Sequence, residues 1–178
     1  MGALRHRPRL PIPDHATEAD RATWALAYLG QWFQVEREVW GSHCSGRRVR
    51  LDAILRPRDS SSWKDEDPAF GVEFKLAHSG STRDFTAWAA QAVDYTHVYW
   101  HGYGRLRIFT CPSPFVVLAE RDGGDLMARM LGQLGVGELS PIQRRGWSLL
   151  LNDHVVWCES DGPVAAKQWS IKSKVGSR

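Results

Sequence analysis

VRLDAILRP (49–57) and FGVEFKLA (70–77) are the two segments on which the predicted fold rests. Both are rich in β-branched and aromatic residues and alternate between apolar and polar positions, which predicts two β-strands. Successive side chains of a strand point to opposite faces, so Asp52 lies on the face opposite the one shared by Val49, Leu51, Ala53 and Leu55. By the same rule Glu73 and Lys75 point the same way, about 7 Å apart along the strand.

The segments around these two strands predict an alternation of helices and strands. A helix is expected over 16–33, with Thr17 as N-cap and Asp20 completing a capping box. Residues 33–40 and 49–57 should form a hairpin, a second helix should cover 84–95, and residues 96–111 should form another hairpin on the turn HGYG. Further along, a short helix is expected at 125–135, and a hairpin is favoured over a helix at 146–160.

This order predicts an α/β (α+β) fold with a mixed central sheet and flanking helices, in the sequence αβββαβ, to which a C-terminal helix and hairpin are added. A length of 178 residues fits one domain. We divide it into an extended basic arm (1–15), a core (16–111) and C-terminal additions (112–178).

Composition narrows the class of protein. With 43% hydrophobic and 24% charged residues, the chain should form a soluble globule. The formal net charge of +3 permits a polyanionic partner without requiring one. Three cysteines without CxxC spacing fit a reducing cytoplasm. The N-terminal segment is broken by prolines and has no apolar run long enough for a signal peptide or membrane helix, so no membrane partner is expected.

The acids of the two strands suggest a metal site. If the strands are neighbours, Asp52 and Glu73 converge on one divalent cation, and hard carboxylate ligands suit Mg²⁺ or Mn²⁺. Lys75 beside that cation would orient or activate a water and neutralise charge in the transition state. The alternative is that Glu73 and Lys75 form an exposed ion pair, as most E-x-K triplets do.

Together with a motif on the second helix, these residues resemble the PD-(D/E)XK, or restriction-endonuclease-like, nuclease superfamily. The resemblance covers about 17–100 and consists of Asp52 in VRLDAIL, Glu73 and Lys75 in GVEFK, and Gln91 and Tyr95 in QAVDY. It implies that Asp52 and Glu73 hold the metal and that Lys75 serves the attacking water. The QxxxY motif is typical of the exonuclease and resolvase branches.

In that superfamily the helical glutamine and tyrosine support the site or contact nucleic acid, and a glutamate of the first helix often completes it. Glu18 is the best-placed residue for this role, with Glu36 and Glu38 as rival acids. No proline precedes Asp52, which departs from the family pattern. Gln91 and Tyr95 lie four apart on one helix face. The alternative for them is a satisfied core glutamine and a tyrosine with a polar tip.

Other chemistries have weaker support. His97 and His101 have HxxxH spacing across a helix-to-strand change, and the adjacent His43 and Cys44 lack a second pair, so a zinc site is not expected. The chain has no P-loop, no GxGxxG and no nucleophile elbow. NTP hydrolysis and serine-hydrolase chemistry are therefore disfavoured.

The sequence thus predicts a Mg²⁺-dependent deoxyribonuclease in the cytoplasm. Phosphate contacts are expected from Arg47, Arg48, Arg50 and Arg83. The sequence does not decide between DNA and RNA as the substrate, and it is compatible with a homodimer. The first alternative is a catalytically silent nucleic-acid-binding or assembly protein with the same fold. The second is a small structural protein whose acids only decorate its surface.

Overall fold

The computed structural model describes residues 10–76, 82–112, 124–152 and 154–164. Three helices are present in this part of the chain: α1 (Glu18–Leu29), α2 (Thr82–Thr96) and α3 (Gly124–Gln133). Nine strands accompany them: β1 (Phe33–His43), β2 (Arg48–Pro57), β3 (Phe70–Phe74), β4 (Val98–Trp100), β5 (Ile108–Cys111), β6 (Val136–Ile142), β7 (Gly146–Leu151), β8 (His154–Cys158) and β9 (Gly162–Pro163).

All nine strands belong to one mixed sheet in the order β4-β1-β2-β3-β5-β6-β7-β8-β9. β3, β5 and β6 are parallel, and the other neighbours are antiparallel. The sheet curls into a half-barrel. The predicted fold class, a small αβββαβ core with flanking helices and C-terminal additions, is therefore wrong. The C-terminal strands pair onto β5 and continue the same sheet, because β6 forms a regular parallel ladder with it.

The first helix begins where its capping residues predict. The Thr17 hydroxyl accepts a hydrogen bond from the Asp20 backbone N–H, so the first turn has a side-chain partner. The helix buries a stripe of small and aliphatic residues, Ala22, Ala25, Leu26 and Leu29, against the sheet. α1 therefore packs on the sheet and brings its N-terminal turn close to the end of β3.

The core consists of two main clusters on opposite faces of the sheet. Alternate residues of β5 show this, because Phe109 belongs to the cluster under α1 and Ile108 to the cluster under α2 and α3. β2 does not alternate as expected: Ala53 packs with the first cluster and Leu51 with the second. The prediction of one shared face for Leu51 and Ala53 is wrong. The reversal coincides with Asp52 and with a positive φ of 54° at Glu38 in β1.

The two predicted hairpins of the second half have different outcomes. The hairpin over 96–111 is wrong, because β4 pairs with β1 at the edge of the sheet while β5 lies between β3 and β6. The HGYG turn closes only a single bridge, between Trp100 and Gly104. The hairpin over 146–160 is confirmed as β7 and β8.

Part of the predicted N-terminal arm (1–9) and the basic tail (165–178) lie outside the described residues. Among the helices of the described part, none is both long and apolar enough to cross a bilayer.

A substitution at Gly137 tests the position of β6. A methyl group there would collide with the backbone oxygen of Leu150 in β7 and, at 2.6 Å, with the ring of Phe109 in β5. Gly137→Ala should therefore lower the free energy of unfolding by about 1–3 kcal/mol, measured by urea denaturation. Gly30→Ala is the matched control, since Gly30 has ordinary helical φ and its added methyl group meets atoms only at 3.4 Å. Equal stability of the two variants would contradict the placement of β6 between β5 and β7.

Candidate active site

Pairing of β2 with β3 brings the two predicted metal ligands together. The antiparallel register joins Ala53 to Val72, and the same register places Asp52 across from Glu73. The backbone N–H of Phe74 donates a hydrogen bond of 2.7 Å to Oδ2 of Asp52, which is half-buried. The condition set by the sequence, that the two strands be neighbours, is met.

Glu73 and Lys75 form a buried pair. Their exposed fractions are 5% and 8%. The Lys75 ammonium donates to Oε1 of Glu73 at 2.7 Å. The alternative of an exposed surface ion pair is therefore wrong. The other oxygen of Glu73, Oε2, is buried and has no hydrogen-bond partner among the described residues.

Burial and mutual repulsion shift the proton affinities of this cluster. Desolvation, followed by the charge of Asp52, raises the pKa of Glu73 to about 7, against the opposing effects of Lys75 and of the Asp52 backbone N–H, which also faces the Glu73 carboxylate. Desolvation also raises the pKa of Asp52, although the Phe74 N–H and Lys75 oppose it. Burial disfavours the charge of Lys75, but Glu73, Glu18 and Asp52 together raise its pKa. The site therefore holds a firmly protonated lysine and two carboxylates that resist being charged together.

The first turn of α1 holds the end of β3 through one peptide group. Glu18 Oε1 accepts a hydrogen bond of 3.3 Å from the Leu76 N–H. The buried Arg21 guanidinium donates to the Lys75 carbonyl, which belongs to the same peptide group. Glu18 Oε2 also lies 3.9 Å from the Lys75 ammonium. Glu18 thus lies beside Lys75, and Glu18 and Arg21 together clamp the Lys75–Leu76 peptide, which fixes the backbone of Lys75.

Sequence reasoning missed Arg21. Its signal is an arginine within the apolar stripe of α1, three residues after Glu18 and beside Ala22. Residues three apart on a helix are neighbours, so both can reach one peptide group. A charged residue on a buried helix face needs a partner, and this one is the backbone of the site.

Gln91 and Tyr95 hold β2 from the other side. The Gln91 amide donates to the Tyr95 hydroxyl at 2.9 Å, and that hydroxyl donates to the Arg50 carbonyl at 3.1 Å. Burial, followed by the charge of Glu73, raises the pKa of Tyr95. The two residues are hydrogen-bonded within the protein, and they support the strand two residues before Asp52.

The rival acids lie elsewhere. Glu36 accepts a hydrogen bond from the Tyr103 hydroxyl. Glu38 is exposed and pairs with Arg50 at 3.1 Å. Neither acid contacts Asp52 or Glu73 through a hydrogen bond or ion pair that the described residues show.

The predicted phosphate-binding arginines have varied surroundings. Arg47 pairs with Asp94 at 2.7 Å, and Arg50 pairs with Glu38. Arg48 lies over the Trp40 ring, 4.8 Å from its centroid. Arg83 is in α2, but its side chain is outside the described set. Phosphate contact therefore requires Arg47 and Arg50 to give up a carboxylate partner. Arg48 contacts the Trp40 ring and pairs with no carboxylate among the described residues.

The residues of the site fit a hard divalent cation. No group of three or more His, Cys, Asp or Glu residues is arranged to hold a metal within the described ranges. Mg²⁺ needs fewer, because it keeps several waters and is usually bound by one or two carboxylates plus substrate phosphates. If a cation binds here, Asp52 and the unpartnered Oε2 of Glu73 would be its two protein ligands.

The chain matches no protein-family model, no curated protein and no solved structure. The likeness to the PD-(D/E)XK superfamily is therefore a resemblance in motif residues.

The raised pKa of Glu73 predicts a pH-dependent stability in metal-free buffer. Between its ordinary value of 4.5 and about 7, the folded protein binds a proton that the unfolded chain does not. The contribution of Glu73 to the free energy of unfolding is therefore greatest below pH 4.5. This contribution falls as the pH rises from 4.5 to about 7, and the total loss is on the order of 3 kcal/mol.

Urea denaturation of wild type and Glu73→Gln from pH 5 to pH 8, with chelator present, measures this contribution. The variant keeps an oxygen for Lys75 but cannot titrate, so its stability relative to wild type should rise across the window. Glu66→Gln, at an exposed loop position, is the control and should follow wild type. A constant difference between Glu73→Gln and wild type would show that Glu73 is ionised throughout.

Proposed function

We propose that this protein is a metal-dependent nuclease that hydrolyses phosphodiester bonds of DNA. The observation on which the proposal rests is the buried Oε2 of Glu73, without a hydrogen-bond partner among the described residues and across the strand pair from Asp52. An unpaired carboxylate oxygen in a buried position is costly, and a cation removes that cost. The motif resemblance to PD-(D/E)XK nucleases supports the same assignment.

In this proposal Asp52 and Glu73 hold Mg²⁺ or Mn²⁺. When bound, such a cation supplies Lewis-acid polarisation of the phosphodiester and lowers the pKa of a coordinated water. Two buried carboxylates whose charges repel gain from a divalent cation as counter-charge, and that cation competes with the proton that their raised pKa values favour.

Lys75 acts as a charged donor in the proposal. Because Glu73, Glu18 and Asp52 raise its pKa against the effect of burial, it stays protonated at neutral pH. A protonated lysine orients the attacking water and stabilises negative charge on the phosphate oxygens; it does not remove a proton. The water oxygen bonds to phosphorus, the ester P–O bond breaks, the leaving oxygen gains a proton, and the proton from water passes to solvent.

The supporting residues have positioning roles. The clamp made by Glu18 and Arg21 fixes the backbone of Lys75, while Gln91 and Tyr95 fix β2 beside Asp52. None of the four needs to touch the substrate for these roles. A cytoplasmic location belongs to the same proposal, because Cys44, Cys111 and Cys158 are free thiols.

Cleavage assays test the proposal. Wild type should nick or degrade DNA in Mg²⁺ or Mn²⁺ and stop when chelator is added. Asp52→Ala, Glu73→Ala and Lys75→Ala should each slow the reaction at least about a hundredfold, the scale of losing one transition-state stabiliser. Asp59→Ala removes an exposed loop carboxylate and is the matched control, with wild-type rates expected.

Gel assays with single-stranded, duplex and branched DNA, and with RNA, measure the rates, and circular dichroism confirms that each variant is folded. Wild-type rates in all three alanine variants would reject the site. Nucleic-acid binding by a wild type that shows no cleavage on any of these substrates would favour the silent binding protein.

A further inference from the structure

A second surface combines exposed aromatic rings with arginines. Where β1, β2 and β4 meet, over 39–43, 48–51 and 98–100, exposed or half-exposed residues alternate with more buried ones. Their outward positions form a set that we term the aromatic–basic face: Trp40, Ser42, Arg48, Arg50 and Tyr99. The exposed fractions of Trp40 and Tyr99 are 44% and 60%, so two large rings are open to solvent on the same face.

The strand register fixes the layout of this face. Ser42 pairs with Arg48 on one side and with Tyr99 on the other, forming one row across three strands. Trp40 pairs with Arg50 in the adjacent row, about 7 Å along the strands. Trp40 and Tyr99 are diagonal neighbours on adjacent strands, roughly 7–8 Å apart at the backbone. Two rings thus stand beside two guanidinium groups on one continuous surface.

The charges of the face favour an anionic ligand. Arg48 lies 4.8 Å from the centroid of the Trp40 ring, and none of the described carboxylates pairs with it. Arg50 has Glu38 as partner, but both side chains are more than half exposed, so phosphate can compete for Arg50 at low cost. Arginine also offers a flat face on which a base can stack.

We propose that the aromatic–basic face binds single-stranded nucleic acid, with bases stacked on Trp40 and Tyr99 and phosphates bound by Arg48 and Arg50. Exposed rings can stack only on bases that are free of a duplex, whereas paired DNA presents mainly phosphates to such a surface. Stacking and phosphate contacts together give affinity without reading sequence.

The location of this face also assigns a substrate class to the proposed nuclease, and that part rests on the proposed function. Arg50 and Arg48 precede Asp52 by two and four residues in β2. Two residues of a strand span about 7 Å, so a single strand bound along Arg48 and Arg50 runs toward Asp52. The nuclease should therefore prefer single-stranded DNA, or the unpaired end of a duplex, over a continuous duplex.

Fluorescence anisotropy in chelator measures binding apart from cleavage. The probes are a labelled oligothymidylate and a blunt hairpin duplex of equal phosphate number, with the full chain. Wild type should bind the single strand at least tenfold more tightly. Trp40→Ala and Tyr99→Ala should each weaken that binding about five- to hundredfold, the range for losing one stacked base. Trp40→Phe and Tyr99→Phe keep a ring and should retain most of it.

Two further variants separate stacking from other effects. Trp24→Ala removes a partly exposed tryptophan of α1 outside this face and should leave affinity unchanged. Arg48→Ala should reduce the slope of log K against log salt by about 0.7, the value for one single-strand phosphate. Thermal melts establish that each variant is folded before its affinity is read.

The outcomes distinguish this inference from the nuclease proposal. Ring-dependent single-strand binding without cleavage supports the face and rejects the nuclease. If the protein cleaves DNA but binding is unaffected by the loss of either ring, the aromatic–basic face is rejected and the nuclease proposal is retained. Equal affinity for the single-stranded and duplex probes leads to the same conclusion. A dimer in size-exclusion chromatography that Trp40→Ala dissociates, without a change in affinity for the oligothymidylate, would show that a second copy of the chain occupies this surface instead.

Discussion

The antiparallel pairing of β2 with β3 is the constraint on which the site depends. It brings the Asp52 carboxylate against the end of β3, where the Phe74 N–H binds it, and it buries Glu73 with one oxygen unpartnered among the described residues. Charged carboxylates this close repel each other, and burial strengthens the repulsion. Other interactions of the fold must offset this unfavourable repulsion, which is typical of sites that need a ligand to balance their charge.

Helices on both sides of the sheet fix the site without taking part in it. Arg21 and Glu18 of α1 bind opposite sides of the Lys75–Leu76 peptide, and Tyr95 of α2 binds the carbonyl of Arg50. Each uses a side chain to satisfy a backbone group that lies just outside the paired residues of β2 and β3. Lys75 follows the last residue of β3; its own N–H still donates to the Cys111 carbonyl of β5 at 2.9 Å, and the clamp from α1 fixes the peptide that comes next. Rigid support of this kind is what a preorganised charge site requires.

Local pattern predicted the individual elements, and long-range pairing explains the errors. The Thr17 cap, the β1–β2 hairpin and the β7–β8 hairpin depend on residues close in sequence, and all are present. Which strand lies next to β5 depends on contacts between residues far apart, so the hairpin over 96–111 and the small core were wrong. The reversal at Asp52 coincides with the positive φ of Glu38, which alternation alone does not reveal. An arginine within the apolar stripe of α1 indicates that Arg21 needs a partner, but the sequence does not show that this partner is the Lys75 carbonyl.

Crystals grown with Mn²⁺ and measured at the manganese absorption edge test the central claim most directly. An anomalous peak within about 2.5 Å of a carboxylate oxygen of both Asp52 and Glu73 is predicted, with Oε2 of Glu73 as one ligand. The same crystals of Asp52→Ala should lose the peak. Manganese bound only at other sites, or a water or protein donor bonded to Oε2 in its place, would contradict the assignment of this pair as a metal centre.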